Sequence, residues 1–201
     1  MRQSKSPEER KLEIIHTAMS LFSKKGFDHT SVEDITKAMN VAKGTFYYYF
    51  KSKNQVVDAI IDHTLVGINK RANQLINLNV SSIKKLELLI GGALNSDITD
   101  KVRDGLHQPK NRSLHEQMNV KTIKLLTPYI SSIVEQGISE GVMEVSHIED
   151  TVGFTLTGIQ FYLDELLFTW SDEELCIKQT HMIDFIERAF LIKKGTLFKE
   201  E

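Results

Sequence analysis

The run from Thr30 to Lys53, TSVEDITKAMNVAKGTFYYYFKSK, sets Tyr47, Tyr48 and Tyr49 side by side, with Gly44 and Thr45 before them and Lys43, Lys51 and Lys53 around them. Phenolic hydroxyls can donate to phosphate oxygens. A lysine can donate to guanine O6 and N7, and a threonine methyl or an aromatic ring can meet the thymine methyl. This is the chemistry of a DNA groove rather than of bond making. Successive helical residues stand about 100° apart, so three adjacent tyrosines cannot all be buried. On a helix over 43–50, Phe46 and Phe50 share one side and can pack against Ile35, Ala38 and Val41. Lys43, Gly44, Tyr47 and Tyr48 then lie opposite, with Tyr49 at the margin between core and phosphate backbone. Gly44 permits a close backbone approach.

Positioning that face requires short helices joined by a tight turn, and the start signals are legible. Ser6-Pro7-Glu8-Glu9 predicts an N-cap, a proline at the first position and a capping box, with Leu12, Ile15, Ala18 and Phe22 recurring until Gly26 stops the helix. Thr30-Ser31-Val32-Glu33 reads as a second box, opening a helix to about Met39. Asn40 follows, tolerant of a left-handed turn, and a third helix runs from about Lys43 to Phe50. Two short helices around such a turn form a helix-turn-helix, whose second helix enters the major groove. The N–H groups near Thr30 and Ser52 are further phosphate donors, with Lys53 beside the second. Ser52-Lys53-Asn54-Gln55 opens a fourth helix to about Asn77. A fifth over 83–94, a short sixth near 97–106, a seventh over 114–140 bent at Pro128, an eighth over 148–170 and a ninth from Ser171-Asp172-Glu173-Glu174 to Lys194 complete an all-α chain of nine helices.

Charge divides the chain as the helices do. Residues 1–54 hold ten Lys and Arg against six Asp and Glu, and the rest hold fifteen against twenty-one. A basic head on an acidic body fits a polyanion-binding domain over 1–54 and a second domain over 55–201. The single cysteine, Cys176, precludes an intramolecular disulfide and suits a reducing compartment. The polar first eleven residues lack the apolar stretch of a signal peptide, and no run approaches ~18 apolar residues. A cytoplasmic protein without membrane contact is expected.

The run TSVEDITKAMNVAKGTFYYYFKSKNQVV, preceded by IIHTAMSLFSKKGFDHTSVEDI, resembles the DNA-binding head of the tetracycline-repressor (TetR) family of bacterial regulators over about residues 9–58. Asn40, Ala42 and Tyr49 depart from the glycine, serine and histidine common at those positions. The resemblance implies that Thr30 touches phosphate, that Lys43, Gly44, Thr45, Tyr47 and Tyr48 make groove contacts, and that Tyr49 and Lys53 hold the backbone. PYISSIVEQGISEGVMEV is similar to the family's bent seventh helix. The family then implies a homodimer through a four-helix bundle of the last two helices, where apolar stripes offer Leu156, Leu163, Leu167, Ile186 and Phe190. It implies an effector cavity too, with Ile61, Leu65, Leu86, Ile90, Met118, Phe154, Phe161 and Phe168 as candidate lining and His63 able to face it.

Such a lining favours a small apolar or aromatic effector. The expected function is a transcriptional repressor on a palindromic double-stranded operator, released when the effector shifts its conformational population. Control by a protein partner is the alternative. A remoter one is an all-α metal enzyme, since Asp97, Asp100, Asp104 and His107 can share a helix face. Cys176 as a redox sensor is disfavoured by its acidic helix start. No P-loop, G-x-G-x-x-G, G-x-S-x-G or H-E-x-x-H occurs, so no cofactor and no enzymatic activity are expected.

Overall fold

The computed structural model describes residues 5–92, 108–164 and 166–199. Among them it forms eight α-helices and one 3₁₀ turn: α1 Pro7–Lys25, α2 Val32–Ala38, α3 Lys43–Tyr49, α4 Lys53–Ile76, α5 Ser82–Ile90, the turn Pro109–Asn111, α6 Arg112–Ser139, α7 Ile148–Tyr162 and α8 Asp172–Ala189. The chain is all-α in class, as expected from its sequence. The helix expected near 97–106 and the end of the one expected over 83–94 lie outside the described residues. None of the described helices is long and apolar enough to cross a membrane.

Two compact units divide the described residues, one of 5–66 with 108–118 and the other of 67–92 with 119–199. The first unit, the head, therefore extends past residue 54. Val56, Val57, Ile60 and Ile61 of α4 are buried in its core with Ile14, Ala18 and Phe22 of α1, Ile35 of α2 and Phe46 of α3. Phe22 and Phe46 are fully buried, each burial contributing about 1.5–3 kcal/mol. Ser6 closes the capping box on α1 with Glu9, and Gly26 ends that helix at φ 88°. Asn40 takes φ 53° in the α2–α3 turn, a left-handed conformation in which asparagine is tolerated.

The second unit, the body, packs Leu75, Leu86, Ile130, Ile133, Val134, Val152, Ile186 and Phe190 together. Polar clamps fix its helix ends. Glu140 accepts from the Ser82 amide and hydroxyl at the start of α5, and the Ser82 hydroxyl is foremost in lowering its pKa. The buried Lys85 donates to the Ile76 carbonyl at the end of α4 and to Gln136. Pro128 lies inside α6.

Two expected helix ends fall short. The helix expected to reach 170 stops at Tyr162, because Asp164 turns inward, bonds Asn119 and accepts the Leu166 amide, while the Trp170 indole donates to the Tyr162 carbonyl. The helix expected to reach 194 stops at Ala189. Buried Glu187 gathers the amides of Gly195, Thr196 and Leu197, and Leu191 takes φ 50°, so the chain folds back on the helix.

Candidate nucleic-acid interface

The α2–α3 pair is built as a helix-turn-helix. The Val41 amide donates to the Thr36 carbonyl across the turn, and Phe46 and Phe50 are buried on the inner side of α3. The outer side is open. Tyr47 is 50% exposed and Tyr48 79% exposed, and Lys43 is exposed next to them. A methyl group added at Gly44 would meet no atom within 4 Å, so internal packing does not require this glycine. Tyr49 is half-buried, in edge-on contact with Tyr48 at 4.9 Å between centroids. Thr45 is half-buried as well.

Two residues assigned to phosphate point inward instead. Thr30 is buried, and its hydroxyl donates to the Gly26 carbonyl at 2.8 Å. The N-cap of α2 is Ser31, not Thr30, and its capping-box partner is Asp34, not Glu33. One residue's slip in the box moved the assignment. Asp34 accepts from the Ser31 amide and hydroxyl and pairs with Lys25 at 3.1 Å. These contacts hold its pKa down to about 2, the Ser31 amide foremost, so a carboxylate already occupies the start of α2. Lys53 donates to the Phe27 carbonyl and lies 4.0 Å over the Phe27 ring. Burial lowers its pKa, opposed by Asp28. It ties α4 to the α1–α2 corner rather than facing outward.

The residues assigned to an effector cavity do not come together. Ile61, Leu65 and Met118 belong to the head core. His63 is exposed, its ring 5.4 Å from that of His16. Phe154 is 78% exposed, Phe161 is half-buried, and Phe168 stacks on Trp170. Only Leu86 and Ile90 reach a body cavity of about 200 Å³, where Leu126, Ile130, Leu156 and Met182 are among the other lining residues.

The stripes assigned to the dimer are likewise turned. Leu156, Ile186 and Phe190 line that body cavity, and Leu167 is half-buried. Leu163 alone lies on an outer groove of about 480 Å³, with Gly158, Tyr162, Ile177, His181 and Phe185. The missed signal was a spacing of four: Phe154, Gly158 and Tyr162 on α7, and Ile177, His181 and Phe185 on α8. Such spacing keeps residues on one helix face. Asp97, Asp100, Asp104 and His107 lie outside the described residues. Among the described residues no group of three or more His, Cys, Asp or Glu could hold a metal ion, and Cys176 is exposed.

Two family models match this chain in succession. One, described as bacterial regulatory proteins of the tetR family, matches residues 14–60. The other, described as a tetracyclin repressor-like C-terminal domain, matches residues 94–185. An uncharacterized HTH-type transcriptional regulator of Bacillus subtilis, YvdT, is 44% identical over 62 residues, 29% of this chain and 32% of that protein. The HTH-type transcriptional repressor KstR2 of Mycolicibacterium smegmatis is 30% identical over 80 residues, 40% of this chain and 39% of that protein. The chain thus spans about a third of the length of the curated relatives it matches. The solved structure of SmeT, repressor of the Stenotrophomonas maltophilia multidrug efflux pump SmeDEF, superposes with TM-score 0.71 at 14% identity, covering 99% of this chain and 96% of that one. At that identity the likeness is one of fold.

Proposed function

This chain belongs to the tetR family of bacterial regulatory proteins, and from that premise we propose that it is a DNA-binding transcriptional repressor, released from a palindromic operator by a small hydrophobic ligand. The observation that carries the reading is the outer face of α3. Tyr47, Tyr48 and Lys43 stand exposed around a glycine that its own fold does not need, while the opposite side is sealed by Phe46 and Phe50. Exposed aromatics with hydroxyls, a cation and an open backbone suit a groove lined with phosphates and base edges.

Reading two half-sites takes two heads, and the outer face of α7 and α8 supports pairing with a second copy. Phe154, Tyr162, Ile177 and Phe185 are all exposed, and Gly158 between them has open space above it. The ligand reading rests on the body cavity of about 200 Å³ with its mostly apolar lining, which suits a compact apolar or aromatic molecule.

The test is selection of bound fragments from sheared genomic DNA by the purified protein at about 150 mM salt, where phosphate contacts alone bind weakly. An enriched palindrome is expected. Broad salt-sensitive binding with no enriched site would overturn the reading.

A further inference from the structure

The corner between α1 and α2, which sets where the helix-turn-helix begins, is held by residues more than eighty positions away. Gly26 turns the chain at φ 88° and bonds the Phe22 carbonyl. Asn111, 1% exposed, donates from Nδ2 to that same carbonyl at 3.0 Å and accepts the Phe27 amide at Oδ1 at 2.8 Å. Lys110 donates to the Lys24 carbonyl at 3.0 Å. Its stem covers Gly26 so closely that an added methyl would stand 3.1 Å from its Cβ. From the other side, Thr30 donates to the Gly26 carbonyl and Lys53 to the Phe27 carbonyl.

We propose that Lys110 and Asn111 form a strap that fixes how α2 and α3 are presented to DNA, with Asn111 as the positioning residue. The proposal rests on the reading of this chain as a DNA-binding regulator. The chemistry selects asparagine. At the end of α1 the Phe22 carbonyl, already bonded by the Gly26 amide, has a second lone pair for a donor and the Phe27 amide needs an acceptor, and a carboxamide supplies both from one planar group. A buried amide left without its partner is costly, so Phe27 stays paired only while the strap is seated.

The experiment uses the full chain and the operator selected by the wild type. In Asn111→Ala, hydrogen exchange at the Phe27 amide should accelerate about tenfold or more. Operator affinity should fall about tenfold, while low-salt affinity for unrelated DNA stays within about twofold. Asn111→Asp keeps the acceptor for Phe27 but sets a charge against the Phe22 carbonyl, and should bind the operator no better than Asn111→Ala. A folded Asn111→Ala protein that binds the operator like the wild type overturns the strap and leaves Asn111 a stability residue only. Should that variant not fold, Lys110→Ala removes one bond and the cover over Gly26. It should weaken operator binding about threefold with an unchanged salt slope. A slope reduced by one phosphate contact would make Lys110 a DNA contact and overturn its role in the strap. A wild type that selects no operator overturns the regulatory reading beneath, an outcome distinct from the strap's own failure.

Discussion

Among the described residues, exposed aromatic rings gather on α3 and on the outer face of α7 and α8. On α3 they are tyrosines with a lysine and an open glycine beside them. On α7 and α8 they are Phe154, Tyr162 and Phe185 with Ile177, again around an open glycine, Gly158. Each face carries a glycine with open space above it, room enough for a partner's backbone. They differ in what the rings can offer. Tyr47 and Tyr48 each end in a hydroxyl that can donate to an anion, whereas on the second face only Tyr162 carries one and Phe154, Phe185 and Ile177 offer area alone. The first surface suits a polar, charged partner that stays wet. The second suits a surface of its own kind, from which water is expelled.

The sharpest break in this comparison falls on the apolar face. Phe185→Asp replaces an apolar ring at the centre of the groove with a charge, and should weaken the pairing of two copies by about 3 kcal/mol or more. Sedimentation should then show a monomer, and affinity for a two-half-site operator should fall with it. Leu163, the one residue of the expected interface that does line this groove, is half-buried. A charge there should act in the same direction and less strongly. A Phe185→Asp protein that still sediments as a dimer would remove this face from the interface.

On the polar face the effect should be smaller. Tyr48→Ala should reduce operator affinity by roughly 1–3 kcal/mol if its ring or hydroxyl meets a base. Affinity for unrelated DNA should barely change. Competition binding with both DNAs reads the difference, and a uniform loss on both would reassign Tyr48 to the phosphates.

The two faces also differed in how far the sequence exposed them. On a seven-residue helix the choice between faces is forced. Phe46 and Phe50 must go in, so Tyr47 and Tyr48 must come out. Turn chemistry added Gly26 and Asn40, both at positive φ as expected. On α7 and α8 both faces are apolar, and the stripe through Leu156 and Ile159 is as regular as that through Phe154, Gly158 and Tyr162. Periodicity cannot rank two apolar faces, and the aliphatic Leu156 went to the body cavity. Polar side chains that bond locally misled in a different way. Thr30 and Lys53 are the kinds of residue that bind phosphate, yet both serve backbone carbonyls of one corner. The partner of Thr30 lies across a turn, that of Lys53 lies 26 residues back, and Asn111 lies more than eighty residues away, where no spacing rule reaches.

That corner supplies a finer contrast, between two lysines. Lys43 is exposed on α3, and Lys43→Ala should reduce the slope of log affinity against log salt by about 1. Lys53→Ala should leave that slope unchanged. It should instead lower thermal stability, by about 1 kcal/mol for the lost hydrogen bond and ring contact. Salt titrations of operator binding, run beside thermal melts, separate the two. A slope that falls for Lys53→Ala would return it to the phosphate backbone.

The smallest effect concerns the acid at the start of α2. Asp34 is held down to about 2, first by the Ser31 amide, then by the Ser31 hydroxyl and Lys25. A carboxyl with a lowered folded value binds fewer protons folded than unfolded. Its contribution to stability is therefore complete above its ordinary value of 3.8 and is lost as pH falls from there towards 2. Ser31→Ala should raise the Asp34 midpoint, and Lys25→Ala should raise it less, both read by carboxyl-carbon NMR titration. The reverse order would make the ion pair, not the capping box, the cause. Either way Asp34 stays ionised at neutral pH, and the first turn of α2 carries its own anion there. A phosphate approaching that turn would meet a carboxylate rather than a bare helix N-terminus.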